Sequence, residues 1–127
     1  MDISLPAYQQ VTREIRREII TGKLEPSQKL ESIKDLASRF AVNHNTVQRA
    51  LSQLEEEGLL RSRRTAGKFV TDNQLLIGSI RKKEARRVTE EFLDSLGSIG
   101  ISPGELQEML REPELPFCGK GEIDLDK

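Results

Sequence analysis

Apolar residues recur at steps of three and four from the start of the chain. Tyr8, Val11, Ile15 and Ile19 fall on one face of a predicted helix, with Pro6 near its start and Gly22 just past its end. The segment KLEPSQKL, residues 23–30, carries no period and reads as a loop. A second helix is predicted to open at Ser32, a good N-cap, with Asp35 three residues on, suited to the positive end of a helix. Its buried stripe is Ile33, Leu36, Ala37 and Phe40. A third opens at Asn43, another good cap, and ends at Gly58. Its apolar face is Val47, Ala50, Leu51 and Leu54. Its opposite face, at the same spacing, is Asn45, Gln48, Arg49 and Ser52.

Beyond the third helix the period changes. LLRSRR (59–64) and KFVT (68–71) flank T-A-G, which predicts a β-hairpin with a short loop. A long helix is predicted from about Leu76 to Leu96, with Ile77, Ile80, Val88, Phe92 and Leu96 in helical register, although Glu84 breaks the stripe, and with Gly97 and Gly100 at its end. A last helix opens with S-P-G-E, where Ser102, Pro103 and Glu105 form a capping box; Leu106, Met109 and Leu110 are its apolar side, and Pro113 and Pro116 stop it. The expected fold class is mainly α with a small β-hairpin wing: a winged helix-turn-helix followed by a C-terminal α-helical dimerisation unit. The expected domains are 1–72, holding three helices and the hairpin; 73–112, the two-helix dimerisation unit; and 113–127, a flexible tail. The stripe of the long helix needs the last helix and a second copy of the chain to cover it, so Ile77, Ile80, Val88, Phe92, Leu96, Leu106, Met109 and Leu110 are the expected dimerisation residues.

Composition narrows the function classes. The 127 residues allow one ordinary domain or a small one with an appendage. Net charge is −1, with +2 over residues 1–72 and −3 over 73–127, so a nucleic-acid partner has to be argued from local placement and not from bulk charge. One Tyr, four Phe and no Trp argue against stacking on unpaired bases. The lone Cys118 forms no intrachain disulfide and is expected to be inert, and no apolar run approaches bilayer length; both fit a cytoplasmic protein with no membrane partner. No Ser/His/Asp set, phosphate loop or metal cluster is apparent, so neither an enzyme nor a cofactor is expected. His44, the only histidine, lacks the companions a zinc site requires.

The second and third helices are joined by A-V-N, which makes a helix-turn-helix. Such a pair places the start of the later helix in a major groove, where amide and guanidinium groups read base edges. His44, Asn45, Gln48 and Arg49 are the candidate readers, and the Thr46 hydroxyl is a candidate for a phosphate. Arg61, Arg63, Arg64 and Lys68 cluster about the hairpin loop, a basic tip suited to the backbone or a neighbouring minor groove. The bland alternatives are solvated polar faces at Asn45, Gln48 and Arg49, and ordinary surface charge at Lys34, Arg63 and Arg64. RKKEARR (81–87) reads as the solvated side of the long helix, and Glu55–Glu57 as a solvent face.

P-A-Y-Q-Q-V, I-I-T-G-K-L-E-P, L-E-S-I-K-D-L-A, V-N-H-N-T-V-Q-R-A-L-S-Q-L-E-E-E-G-L-L and G-K-F-V occur in this order. Together they resemble the winged helix-turn-helix domain of the GntR family of bacterial transcription regulators. The remainder, with L-G-S-I-G-I-S-P-G-E-L, resembles the YtrA-type subfamily, whose short C-terminal part is a helical dimerisation unit. The resemblance implies a homodimeric repressor of a neighbouring operon, such as that of an ABC transporter, bound to double-stranded DNA at an inverted repeat. It implies DNA contacts at Lys34, His44, Thr46 and Gln48 and in the wing at Gly67. Relatives usually carry Arg at 44 and 48, and two wing glycines where this chain has Thr65 and Gly67. The scaffold is thus kept while the reading surface differs, and Gln48 favours an adenine edge. The rival class is a winged-helix protein-interaction module that does not bind DNA. An effector is not identified by the residues: it sits between protomers or does not exist.

Overall fold

Each of the first three helices starts where the sequence supplies a cap or a proline. Helix α1 (Ala7–Ile20) follows Pro6; α2 (Ile33–Phe40) and α3 (His44–Glu56) follow Ser32 and Asn43, whose side chains accept the backbone N–H of Asp35 and Thr46. The structure, a computed structural model, describes residues 5–112; the expectations for 113–127, including Cys118 and the stopping prolines, lie outside those residues. Strands β1 (Leu60–Arg63) and β2 (Gly67–Val70) pair antiparallel, with Leu60 opposite Val70 and Arg63 opposite Gly67. Helix α4 (Gln74–Ser98) and α5 (Pro103–Leu110) complete the chain, α5 with the expected capping box between Ser102 and Glu105. This is a mainly helical winged helix-turn-helix with C-terminal helices.

One core joins α1, α2, α3 and the hairpin. Val11, Ile15, Leu36, Val47, Ala50, Leu54, Leu59 and Val70 are fully buried in it. Burying a side chain of this size contributes about 1.5–3 kcal/mol, so this shared interior is the main favourable contribution to the stability of the unit. Ile33 and Phe40 are only partly buried against this core.

Three features differ from the sequence expectation. The 23–30 loop is not free of pairing: Lys29 bridges Phe69, Leu30 donates its N–H to Lys68 and Val70 donates to Gln28, so the loop adds a short third rung beside β2. Only backbone groups make this rung, and they leave no side-chain period to read. Gly97 lies inside α4, and the left-handed turn beyond it belongs to Gly100, at φ +84°. The third difference concerns the division of the chain.

The chain forms two units, 1–84 and 85–127, and the division falls inside α4 and not after residue 72. The first turns of α4 belong to the first core: Ile77 is 3% exposed and Ile80 packs against the same cluster. Arg81 donates from Nε and Nη2 to the Ile20 carbonyl at 3.0 and 2.7 Å, satisfying an open carbonyl at the end of α1. Ile77 is therefore spent on the protomer's own core and is not available to a partner, and Ile80 is partly so. Arg81 likewise is not simply solvated. In the second unit Val88, Phe92, Leu93, Ile99, Met109 and Leu110 are between 36% and 72% exposed, while Leu96 and Leu106 are half-buried. On the expected apolar side of α5, Met109 and Leu110 are thus left exposed and Leu106 only half-covered.

A bidentate pair ties α1 to the end of α3. Arg16 Nε and Nη2 donate to the two Glu57 carboxylate oxygens at 2.9 and 2.6 Å, and Gln53 adds a third hydrogen bond. Burial pushes the Glu57 pKa up, but these hydrogen bonds and the charges of Arg16 and Lys83 outweigh it and hold the carboxyl below its ordinary 4.5. A carboxylate depressed in the folded state stabilises fully above the unfolded value and loses that contribution as pH falls through the folded one. Glu57→Gln is therefore expected to cost about 1–3 kcal/mol at neutral pH. It should also flatten the loss of stability below about pH 4.5, as followed by urea unfolding across pH.

Candidate nucleic-acid interface

The site is built on α3 because one helix has to serve two environments. Val47, Ala50, Leu51 and Leu54 are 0–2% exposed, and the residues between them necessarily face out. Asn43 Oδ1 accepts the Thr46 N–H at 2.8 Å, fixing the first turn on which His44, Asn45 and Thr46 stand. Ahead of it, Ala41 takes a left-handed φ of +57°, with its own N–H and that of Val42 bonded back to Ser38 and Ala37. This is the tight turn between α2 and α3, held without glycine.

His44, Asn45, Gln48 and Arg49 are all exposed, and Thr46 is half-buried. Arg49 is not a free cation: its guanidinium carbon lies 3.8 Å from the centroid of the Tyr8 ring on α1. Tyr8 was expected only as an apolar face residue; its second role as a platform requires the α1–α3 contact and cannot be read from spacing. Lys34 is exposed in the first turn of α2.

The wing is formed as expected, with Arg64, Thr65 and Ala66 as its loop and Gly67 at φ +99° closing it. A Cβ at Gly67 would be strained there and would also meet Lys29 Cε at 3.3 Å. The wing cations are not equivalent. Arg61 pairs with Asp72 at 3.5 Å, Arg63 stacks over Phe69 at 4.6 Å, and Lys68 is bound to Glu55 and Ser62. Arg64 is exposed and makes no side-chain hydrogen bond or ion pair among the described residues. The solvent face expected at Glu55–Glu57 is corrected at two of its three positions: Glu55 holds the wing and Glu57 holds α1, leaving Glu56 exposed. A cleft of about 250 Å³, lined by Tyr8, Gln9, Arg13, Arg16 and Gln53 among others, adjoins α1 and α3. It is smaller than the roughly 300–1,000 Å³ of ordinary small-molecule pockets.

The family model for bacterial regulatory proteins of the gntR family matches residues 7–70, from the first residue of α1 to the last of β2. The chain belongs to the GntR family. It is 30% identical over 108 residues to the uncharacterized HTH-type transcriptional regulator YhcF of Bacillus subtilis, covering 85% of this chain and 89% of that one. It is 33% identical over 70 residues to the HTH-type transcriptional repressor YtrA of Bacillus subtilis, covering 55% and 54%. Among solved structures, a GntR family transcriptional regulator from Listeria monocytogenes superposes with a TM-score of 0.80 at 32% identity, covering 90% of this chain and all of that one. The DNA-binding domain of AraR, in complex with operator ORR3, is 39% identical with a TM-score of 0.51, covering 53% and 81%. This GntR protein is thus a DNA-binding transcription regulator of the short, YhcF- and YtrA-like kind, and its family is one of regulators, not enzymes.

Proposed function

We propose that the protein is a homodimeric repressor that binds an inverted-repeat operator through α3 and the wing, one protomer to each half-site. One observation carries this: the first two turns of α3 present His44, Asn45, Gln48 and Arg49 outward on a helix whose other face is sealed in the core. The likeness to an AraR domain bound to its operator supports the same use of the domain. Lys34, Thr46 and Arg64 supply phosphate contacts, and Gly67 lets the wing backbone come close. Control of a neighbouring transporter operon rests on the resemblance to YtrA-type regulators alone.

The deciding experiment is retention of duplex DNA from the gene's own promoter as salt is varied. Binding is expected at low salt, weakening with a log–log slope near −0.9 for each phosphate contact. No retention at low salt would favour the protein-interaction module instead.

Gln48 stands where relatives usually carry Arg, and its amide pairs best with an adenine edge. Gln48→Ala is expected to relax base preference at one position per half-site, at a cost of about 1–3 kcal/mol in discrimination. Selection from random duplexes reads this directly, and an unchanged preference would remove Gln48 from the reading set.

The dimer is proposed to form through Val88, Phe92, Leu96, Leu106, Met109 and Leu110, without the buried Ile77. Val88 and Phe92 are 45% and 48% exposed in the single chain, so Val88→Glu with Phe92→Glu should leave the protomer folded. The doubly substituted chain is expected to sediment as a monomer and to bind a two-half-site duplex about a hundredfold more weakly. A dimer that persists would place the interface elsewhere.

A further inference from the structure

Lys68 stands on the wing where a phosphate-binding cation is expected, yet its ammonium group is already engaged. Its Nζ donates to Glu55 Oε1 and to Ser62 Oγ, each at 2.9 Å, and the Ser62 hydroxyl donates to Glu55 Oε2. The three groups close a triangle between the last turn of α3, β1 and β2. Lys68 and Glu55 retain 26% and 30% of their side-chain exposure, so the pair is half-desolvated and less screened than a surface pair. The Lys68 and Ser62 hydrogen bonds lower the Glu55 pKa against an opposing effect of burial, so the carboxylate stays charged at neutral pH.

The position of Glu55 gives the triangle its meaning. Asn45, Gln48, Ser52 and Glu55 follow one another at steps of three, four and three, a single polar ridge along α3. The ridge that presents candidate readers at its start therefore grips the wing at its end. If Lys68 left for a phosphate, Glu55 would stand unpaired beside polyanionic DNA, a repulsion added to the loss of two charge-assisted hydrogen bonds.

We propose that Glu55 is the positioning residue of the DNA-binding surface: by retaining Lys68 and Ser62 it fixes the wing on the reading ridge, and it withholds Lys68 from the DNA backbone so that Arg64 is the wing's phosphate contact. This rests on the reading of α3 and the wing as the DNA surface, and it makes Glu55 a determinant of specificity. Neutralising it frees a cation that binds any phosphate and loosens the wing at once, so operator and random duplex become harder to tell apart.

The test uses the full chain as Lys68→Met, Arg64→Met and Glu55→Gln variants, with circular dichroism to confirm folding and Lys68→Gln in reserve should the first unfold. With one contact per protomer and two protomers per operator, the log–log slope of duplex binding against salt is expected to be unchanged in Lys68→Met, shallower by about 1.8 in Arg64→Met, and steeper by about 1.8 in Glu55→Gln. The last variant should also show a smaller ratio of operator to random-duplex affinity. A shallower slope in Lys68→Met, or no change in Glu55→Gln, overturns the assignment. A second measurement needs no DNA: carboxyl-carbon NMR across pH should show Glu55 titrating below the ordinary carboxylate value of 4.5 in the unsubstituted protein and rising towards it in Lys68→Met. Ordinary titration in the unsubstituted protein would dissolve the brace whatever the DNA result. Failure of the unsubstituted protein to bind any duplex would instead sink the operator reading, with the titration still deciding whether Glu55 holds the wing.

Discussion

Everything in the first unit follows from the requirement that α3 be sealed on one side and bare on the other. Val47, Ala50, Leu51 and Leu54 are 2% exposed or less, and α1 contributes Val11, Ile15 and Ile19 to the same interior. A helix held this tightly along one stripe has no freedom to roll, so the direction of its polar ridge is set by the packing behind it. Asn43 fixes where the helix starts and Ala41 fixes how it leaves α2. The polar face of α3 is thus held in place without any of its own side chains having to be rigid.

Polar groups then lock the pieces that apolar packing leaves adjustable. The run Glu55–Glu57 shows how. Successive residues on a helix point about 100° apart, so three identical side chains serve three directions. Glu55 takes the wing, Glu57 takes Arg16 on α1, and Glu56 faces solvent. Arg81 does the same job at the other side of the unit, tying the start of α4 to the end of α1. Each lock joins segments distant in sequence, and each sits at the rim of the core, where half-burial strengthens an ion pair without the full desolvation cost of the interior.

This pattern explains what was legible beforehand. Caps, stripes and the hairpin turn are local: Ser32, Asn43, Ser102 and the 3.6-residue period announce themselves within one window, and the helices formed where they indicated. The pairing of Lys29 with Phe69 uses backbone groups and leaves no trace in residue type. The partners of Glu55, Glu57, Lys68 and Arg49 depend on which helices meet, and a charge run looks the same whether it is solvated or clamped. The stripe of α4 is interrupted at Glu84, between Ile80 and Val88, and the division of the chain falls there, but an interruption by itself does not say which core Ile77 and Ile80 serve. Of the candidate site, the members of the ridge were readable; the division of labour among the cations was not.

The separation of faces has a consequence for how such a regulator diverges. His44 and Gln48 are exposed and take no part in the core, the cap or the locks, so exchanging them for other polar residues costs the fold little. Gly67, Glu55 and the buried face of α3 have no such freedom, because each is fixed by a backbone angle, an ion pair or a volume. Two proteins can therefore share this scaffold closely and differ at 44 and 48, because the scaffold imposes no choice there.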